Sequence, residues 1–208
     1  MQRITATGAA LALSFALALP LSAQEKGAQD KQAPAMPPEM KAMMEAWEKA
    51  STPGPQHKQL AEHFAGTWTT RQTMWMDPSA PPMNETGKAV STAIMGGRHI
   101  RMDFSSQWMG QPFEGVALTS YDNVRGKYVG HWIDSMSTGH FLAEGDYDPA
   151  TKTYTFRGEM PDPMKAGKTI AVREVIRIVD ADHHVMEWYE NHDGKERKSM
   201  VIEYARAK

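Results

Sequence analysis

From Thr67 to Arg206, apolar and polar side chains alternate with a period of two, and turn residues break the runs at short intervals. The pattern predicts strands at Thr67–Met76, Glu85–Met95, Arg98–Met109, Phe113–Tyr121 and Lys127–Ser135. Five more follow at Gly139–Tyr147, Lys152–Glu159, Lys168–Val179, His183–Asn191 and Glu196–Arg206. Gly96-Gly97, Gly110-Gln111-Pro112, Asp148-Pro149 and Pro161-Asp162-Pro163 punctuate them, and Asp193-Gly194 is a strong hairpin signal. Connections this short force antiparallel neighbours. About ten strands with no helix among them predict an all-β fold, an antiparallel up-and-down barrel; a two-sheet sandwich is the alternative.

Ahead of the strands the period is helical. Met36, Met40, Met43, Met44 and Trp47 fall on one stripe of a helix expected over Glu39–Ala50, which stops at Thr52-Pro53-Gly54-Pro55. A second short helix runs from Pro55, a favourable first-turn residue, through His57, Leu60 and Phe64. The methionine stripe predicts packing against something apolar, because Met fills irregular gaps; a soft-sulfur Cu(I) site is the alternative. Residues 24–38 are rich in Gln, Lys, Ala and Pro and cannot bury a face. Before them, Arg3 is followed by an apolar run from Ala9 to Leu21 and the small residues Ser22-Ala23. That is the pattern of a secretory signal, with an apolar part too short to span a bilayer. The expected organisation is a signal peptide over 1–23, a flexible leader with a Met-rich helix over 24–53, and the barrel over 54–208. The mature chain is expected to be exported, to a bacterial periplasm, with no membrane span.

Composition then removes several functions. The chain has no cysteine, hence no disulfide framework, thiolate metal cage or cysteine nucleophile. An exported chain of this kind rests on its core alone, which suits a periplasm. Its 23 basic and 25 acidic side chains leave no footprint for nucleic acid. Ala166-Gly167-Lys168-Thr169 ends like a phosphate-binding loop, but Asp162 stands where the first glycine belongs and a β-branched run follows where a helix is needed. Asp180-Ala181-Asp182-His183-His184 gathers groups that ligate metals, yet successive strand residues face opposite ways, so no metal site is expected.

The alternation also assigns faces. Ile100, Met102, Phe104 and Trp108 share one face; so do Ile170, Val172, Glu174, Ile176 and Ile178, and so do Met200, Ile202, Tyr204 and Arg206. Glu174 and Arg206 are thus ionisable groups on apolar faces, which implies an internal ion pair, a rim position or a polar anchor for a ligand. Both faces of Lys127–Ser135 carry large groups. If Tyr128, Trp132 and Asp134 face inward, His131 faces out.

Gly66-Thr67-Trp68, opening the first strand after a short helix, resembles the G-x-W signature of lipocalins. That resemblance implies that Trp68 closes one barrel end with Arg206 over its ring. A wider series is more specific: Pro53-Gly54-Pro55-Gln56-His57, Gly96-Gly97-Arg98, Phe113-Glu114-Gly115, Tyr121-Asp122, Trp132-Ile133-Asp134-Ser135 and Asp193-Gly194-Lys195-Glu196 with Met200 and Tyr204. In this order they resemble the bacterial domain-of-unknown-function family numbered fifteen seventy-nine, over about Met40 to Arg206. The resemblance implies a calycin-like barrel and no settled activity. The strand count also resembles nitrobindin-type barrels, which hold haem through a histidine; His131 is then the first candidate and His184 the second.

These observations converge on an exported barrel that binds a small, mostly apolar molecule without a cofactor. The expected walls are Met102, Phe104, Trp108, Tyr128 and Trp132, with Glu174 as internal polar group and Trp68 with Arg206 as plug. The competing functions are a haem protein, an enzyme using Glu174, Asp134 or His131, and an interaction module built on the Met40–Trp47 helix. Oligomeric state is not legible.

Overall fold

In the computed structural model, which describes residues 36–77 and 79–208, every alternating run forms a strand. They are β1 (Gly66–Met74), β2 (Met83–Ile94), β3 (His99–Trp108), β4 (Gln111–Asp122) and β5 (Lys127–Asp134). β6 (Phe141–Asp148), β7 (Thr153–Pro161), β8 (Thr169–Ile178), β9 (His183–His192) and β10 (Lys195–Arg206) complete the set. Each pairs antiparallel with the next, and β10 returns to β1 with Trp68 opposite Arg206. The sheet is therefore a closed, calycin-like barrel rather than a sandwich, and it has no free edge. The expected signal peptide and the leader as far as residue 35 lie outside the described residues.

One irregularity breaks the period of two. Between Lys198 and Met200 the pairing with β9 shifts, so Arg197 and Met200 both turn toward the interior.

The end at which β1 begins is closed by α2 (Pro55–Phe64). Pro55 takes the first turn, and the His57 ring turns back so that its Nδ1 accepts the Gly54 N–H at 3.0 Å. The helix buries Leu60 in a core cluster with Ile100, Tyr128 and Tyr154. Tyr128 donates its hydroxyl to Gln59 at 3.0 Å, and His63 bonds the Tyr154 hydroxyl at 2.9 Å.

α1 (Pro38–Ser51) departs from expectation. The methionine stripe does not pack: Met40, Met43 and Met44 are about half exposed and Trp47 is 69% exposed. The reason is the way the helix is held. Asn123 Nδ2 reaches the carbonyls of Lys49, Ala50 and Thr52 at 2.8–3.3 Å, and Arg98 Nε that of Ser51 at 2.9 Å. These bonds satisfy the orphan acceptors of the last turn and fix only that end. Among the described residues, nothing covers the stripe.

Candidate functional site

At the closed end the G-x-W segment is explained by geometry. Gly66 has φ +137°, and a Cβ there would collide with the Arg206 guanidinium. Arg206 lies 4.2 Å above the Trp68 ring and donates to the carbonyls of Ala65 (2.8 Å) and Ala181 (3.0 and 3.1 Å). Trp68 in turn donates its Nε1 hydrogen to Phe64 O at 2.9 Å. The two residues read from the sequence as a plug meet here, tying α2 to both closing strands.

Above this floor, the register defines two facing walls. Met102 stands opposite Ala117, which stands opposite Trp132, while Phe104 stands opposite Gly115. The Trp132 ring lies on Gly115, where a Cβ would strike it, so close approach dictates the glycine. Phe113 stacks on Trp132 at 6.4 Å and Phe104 meets both edge-on at 6.1 Å. On the other wall Glu174 of β8 sits between Phe156 of β7 and Trp188 of β9. Met186, Ile202 and Met200 pack in one cluster with Phe104 and Met102, joining the walls.

The residues read from the sequence divide accordingly. Met102, Phe104, Trp132 and Glu174 come together in the lumen. Trp108 faces inward near the mouth, paired with Gln111. Tyr128 belongs to the helix-capped floor, where burial and the neighbouring Tyr121 and Tyr147 push its hydroxyl up to about 12. Missed were Phe156, Trp188, Thr70 and Gln72. The first two follow the same period of two and only the closed register shows them beside Glu174. Thr70 and Gln72 read as surface residues on a polar strand, yet they are 2% and 5% exposed. Thr70 Oγ1 and Gln72 Nε2 have no hydrogen-bond partner among the described residues.

The two histidines considered for haem lie in different surroundings. Tyr128, Trp132 and Asp134 are the inward set of β5, so His131 lies on the outer wall, stacked on His140 with Nε2 and Nδ1 2.8 Å apart. His184 does face inward, but its ring is stacked on Tyr204 at 4.2 Å and edged by Trp68 at 4.5 Å and Phe64 at 5.4 Å. Burial, reinforced by Arg206 and His63, lowers its pKa to about 3.

Glu174 is the chemical centre. Its place in the alternation of β8 turns it into the ring, where it is half-buried. Among the described residues it has no hydrogen-bond or ion-pair partner. Desolvation alone raises its pKa to about 7. Its charge, after burial itself, also raises the hydroxyl of Tyr204. The remaining inward acids lie toward the mouth. Asp134 accepts the Trp132 indole N–H at 2.8 Å, and Glu190 accepts Ser199 at 2.9 Å and pairs with His192 at 2.8 Å.

Residues 52–206 match the family model described as "Protein of unknown function (DUF1579)". The chain belongs to that family. No curated protein sequence matches this family member. Among solved structures it is similar to Rv2717c from M. tuberculosis, with TM-score 0.57 and 14% identity over 76% of this chain and 100% of that one. It is also similar to the S-type phycobiliprotein lyase CPES from Guillardia theta, with TM-score 0.50 and 12% identity over 73% of this chain and 92% of that one. At these identities the likeness is one of fold.

Proposed function

We propose that this protein binds a small, largely apolar molecule in the barrel lumen, with Glu174 as its polar anchor. One observation carries the reading: a carboxyl group turned into the barrel between Phe156 and Trp188, without a hydrogen-bond or ion-pair partner among the described residues. A buried acid with no partner is costly in an empty protein and is relieved when a ligand supplies one. Met102, Phe104 and Trp132 would furnish the apolar surface that drives entry. One protein of similar fold is named a phycobiliprotein lyase. The reading includes export, supported by the apolar run Ala9–Leu21 and the small residues before Gln24.

Native mass spectrometry of protein purified from its own source tests both parts. The expected result is a chain beginning at Gln24 that carries a reproducible extra mass, lost on denaturation. A bare mass under gentle conditions defeats the binding reading, and an intact Met1 defeats export.

A second reading rests on the position of the Glu174 pKa, about 7, where a carboxyl group both gives and takes protons at neutral pH. In that case the bound molecule leaves chemically altered. Conversion of the released compound on re-incubation, abolished in Glu174→Gln, separates catalysis from simple binding.

A further inference from the structure

Resting on that reading, the charges of the lumen narrow the ligand. The inward-facing acids are Glu85, Asp134, Glu174 and Glu190. Two arginines face in, and neither reaches the centre. Arg206 is the floor plug, committed to Trp68 and two carbonyls. Arg197 stands near the mouth, in register opposite Glu190, and its buried Nε has no hydrogen-bond partner among the described residues. His184 is walled off between Trp68 and Tyr204, and His192 is bonded to Glu190. With Glu190 offset by Arg197 and His192, an excess of negative charge remains at Glu85, Asp134 and Glu174, and low-dielectric surroundings strengthen its pull on a cation.

The walls favour the same sign. Glu174 lies between the rings of Phe156 and Trp188, and Trp188 meets Phe141 edge-on at 4.8 Å. Opposite stand Phe104 and Trp132. Aromatic faces present negative potential to a cation, and they do so most strongly where water is excluded.

We propose that the ligand is a lipophilic organic cation, a protonated amine on an aryl or alicyclic body, whose ammonium group pairs with Glu174 between Phe156 and Trp188. The apolar body lies against Met102, Phe104 and Trp132. An ammonium group supplies the partner that Glu174 lacks, and the ion pair also explains why an isolated carboxyl group sits among aromatic rings. A fatty acid or other anion would bring a second negative charge up to Glu174.

Calorimetric titration of the mature protein at pH 8 tests this with three probes sharing one aryl body: 2-(2-naphthyl)ethylamine, 2-(2-naphthyl)ethanol and 2-naphthylacetic acid. The amine is expected to bind at least about tenfold more tightly than the alcohol, as a charge-assisted bond requires, and the acid more weakly than both. In Glu174→Gln the preference for the amine is expected to vanish while the alcohol keeps its affinity within about threefold. Equal binding of amine and alcohol, or a preference for the acid, overturns the proposal and leaves lumen binding intact. An amine preference that survives Glu174→Gln removes Glu174 as the partner. Failure of all three probes overturns this proposal and the binding reading together. The wild-type series stands without the variant.

Discussion

Glu174 and His184 have opposite signs in the pH dependence of stability. The folded pKa of Glu174 is raised to about 7 from its ordinary 4.5. Its stabilising effect is complete below 4.5 and is lost as pH rises through 7. The folded pKa of His184 is depressed to about 3 from 6.5, so its contribution is present above 6.5 and is lost as pH falls toward 3. Between about pH 4.5 and 6.5 the two slopes oppose one another and stability is expected to be flat. Glu174→Gln is accordingly expected to be more stable than the wild type at pH 8, by about 2 kcal/mol after allowance for solvent in the lumen, with no difference at pH 4.5. Urea denaturation at the two pH values checks this. A variant less stable at pH 8 would mean that Glu174 has a partner. Gly66→Ala supplies a second test at this scale. Positive φ and the displaced Arg206 predict a loss of about 2 kcal/mol, and Arg206→Ala in the same background is expected to cost less than it does alone.

The two helices look alike in the sequence and behave differently. Both are short and amphipathic, yet α2 buries Leu60 and His57 while α1 buries nothing. The stripe of α1 was legible; its lack of a covering surface was not, because periodicity records which residues share a face and not what stands opposite. Deleting residues 36–50 is therefore expected to change the free energy of unfolding by less than about 1 kcal/mol, since Asn123 loses the carbonyls of Lys49 and Ala50 but keeps that of Thr52, and Arg98 keeps that of Ser51. Melting of the barrel in that deletion would show that α1 is a structural element after all. The strands were legible to within about two residues, for their turn chemistry is explicit. The bulge at Lys198–Met200 was not, and with it the inward position of Arg197 escaped notice.

At the level of the whole molecule, the closed barrel followed from ten alternating runs and short connections, and the family from a spaced set of motifs. The site was only half visible. The inward orientation of Met102, Phe104, Trp132 and Glu174 was legible because apolar alternation marks an inward face even when one member is charged. Thr70 and Gln72 were not, because β1 reads Thr-Trp-Thr-Thr-Arg-Gln and its inward polar groups look like its outward ones. Which strand stands beside which is long-range information, and it alone places Phe156 and Trp188 around the carboxyl group.

The seam between β1 and β10 has a consequence for biosynthesis. Residues 68 and 206 face each other across it, so the first strand made waits for the last. Until β10 emerges, β1 has one neighbour and presents an unpaired backbone row, and so does β9. The nascent chain thus carries two sticky margins through nearly the whole of translation. Insertion of β10 between them ends the hazard in a single late event.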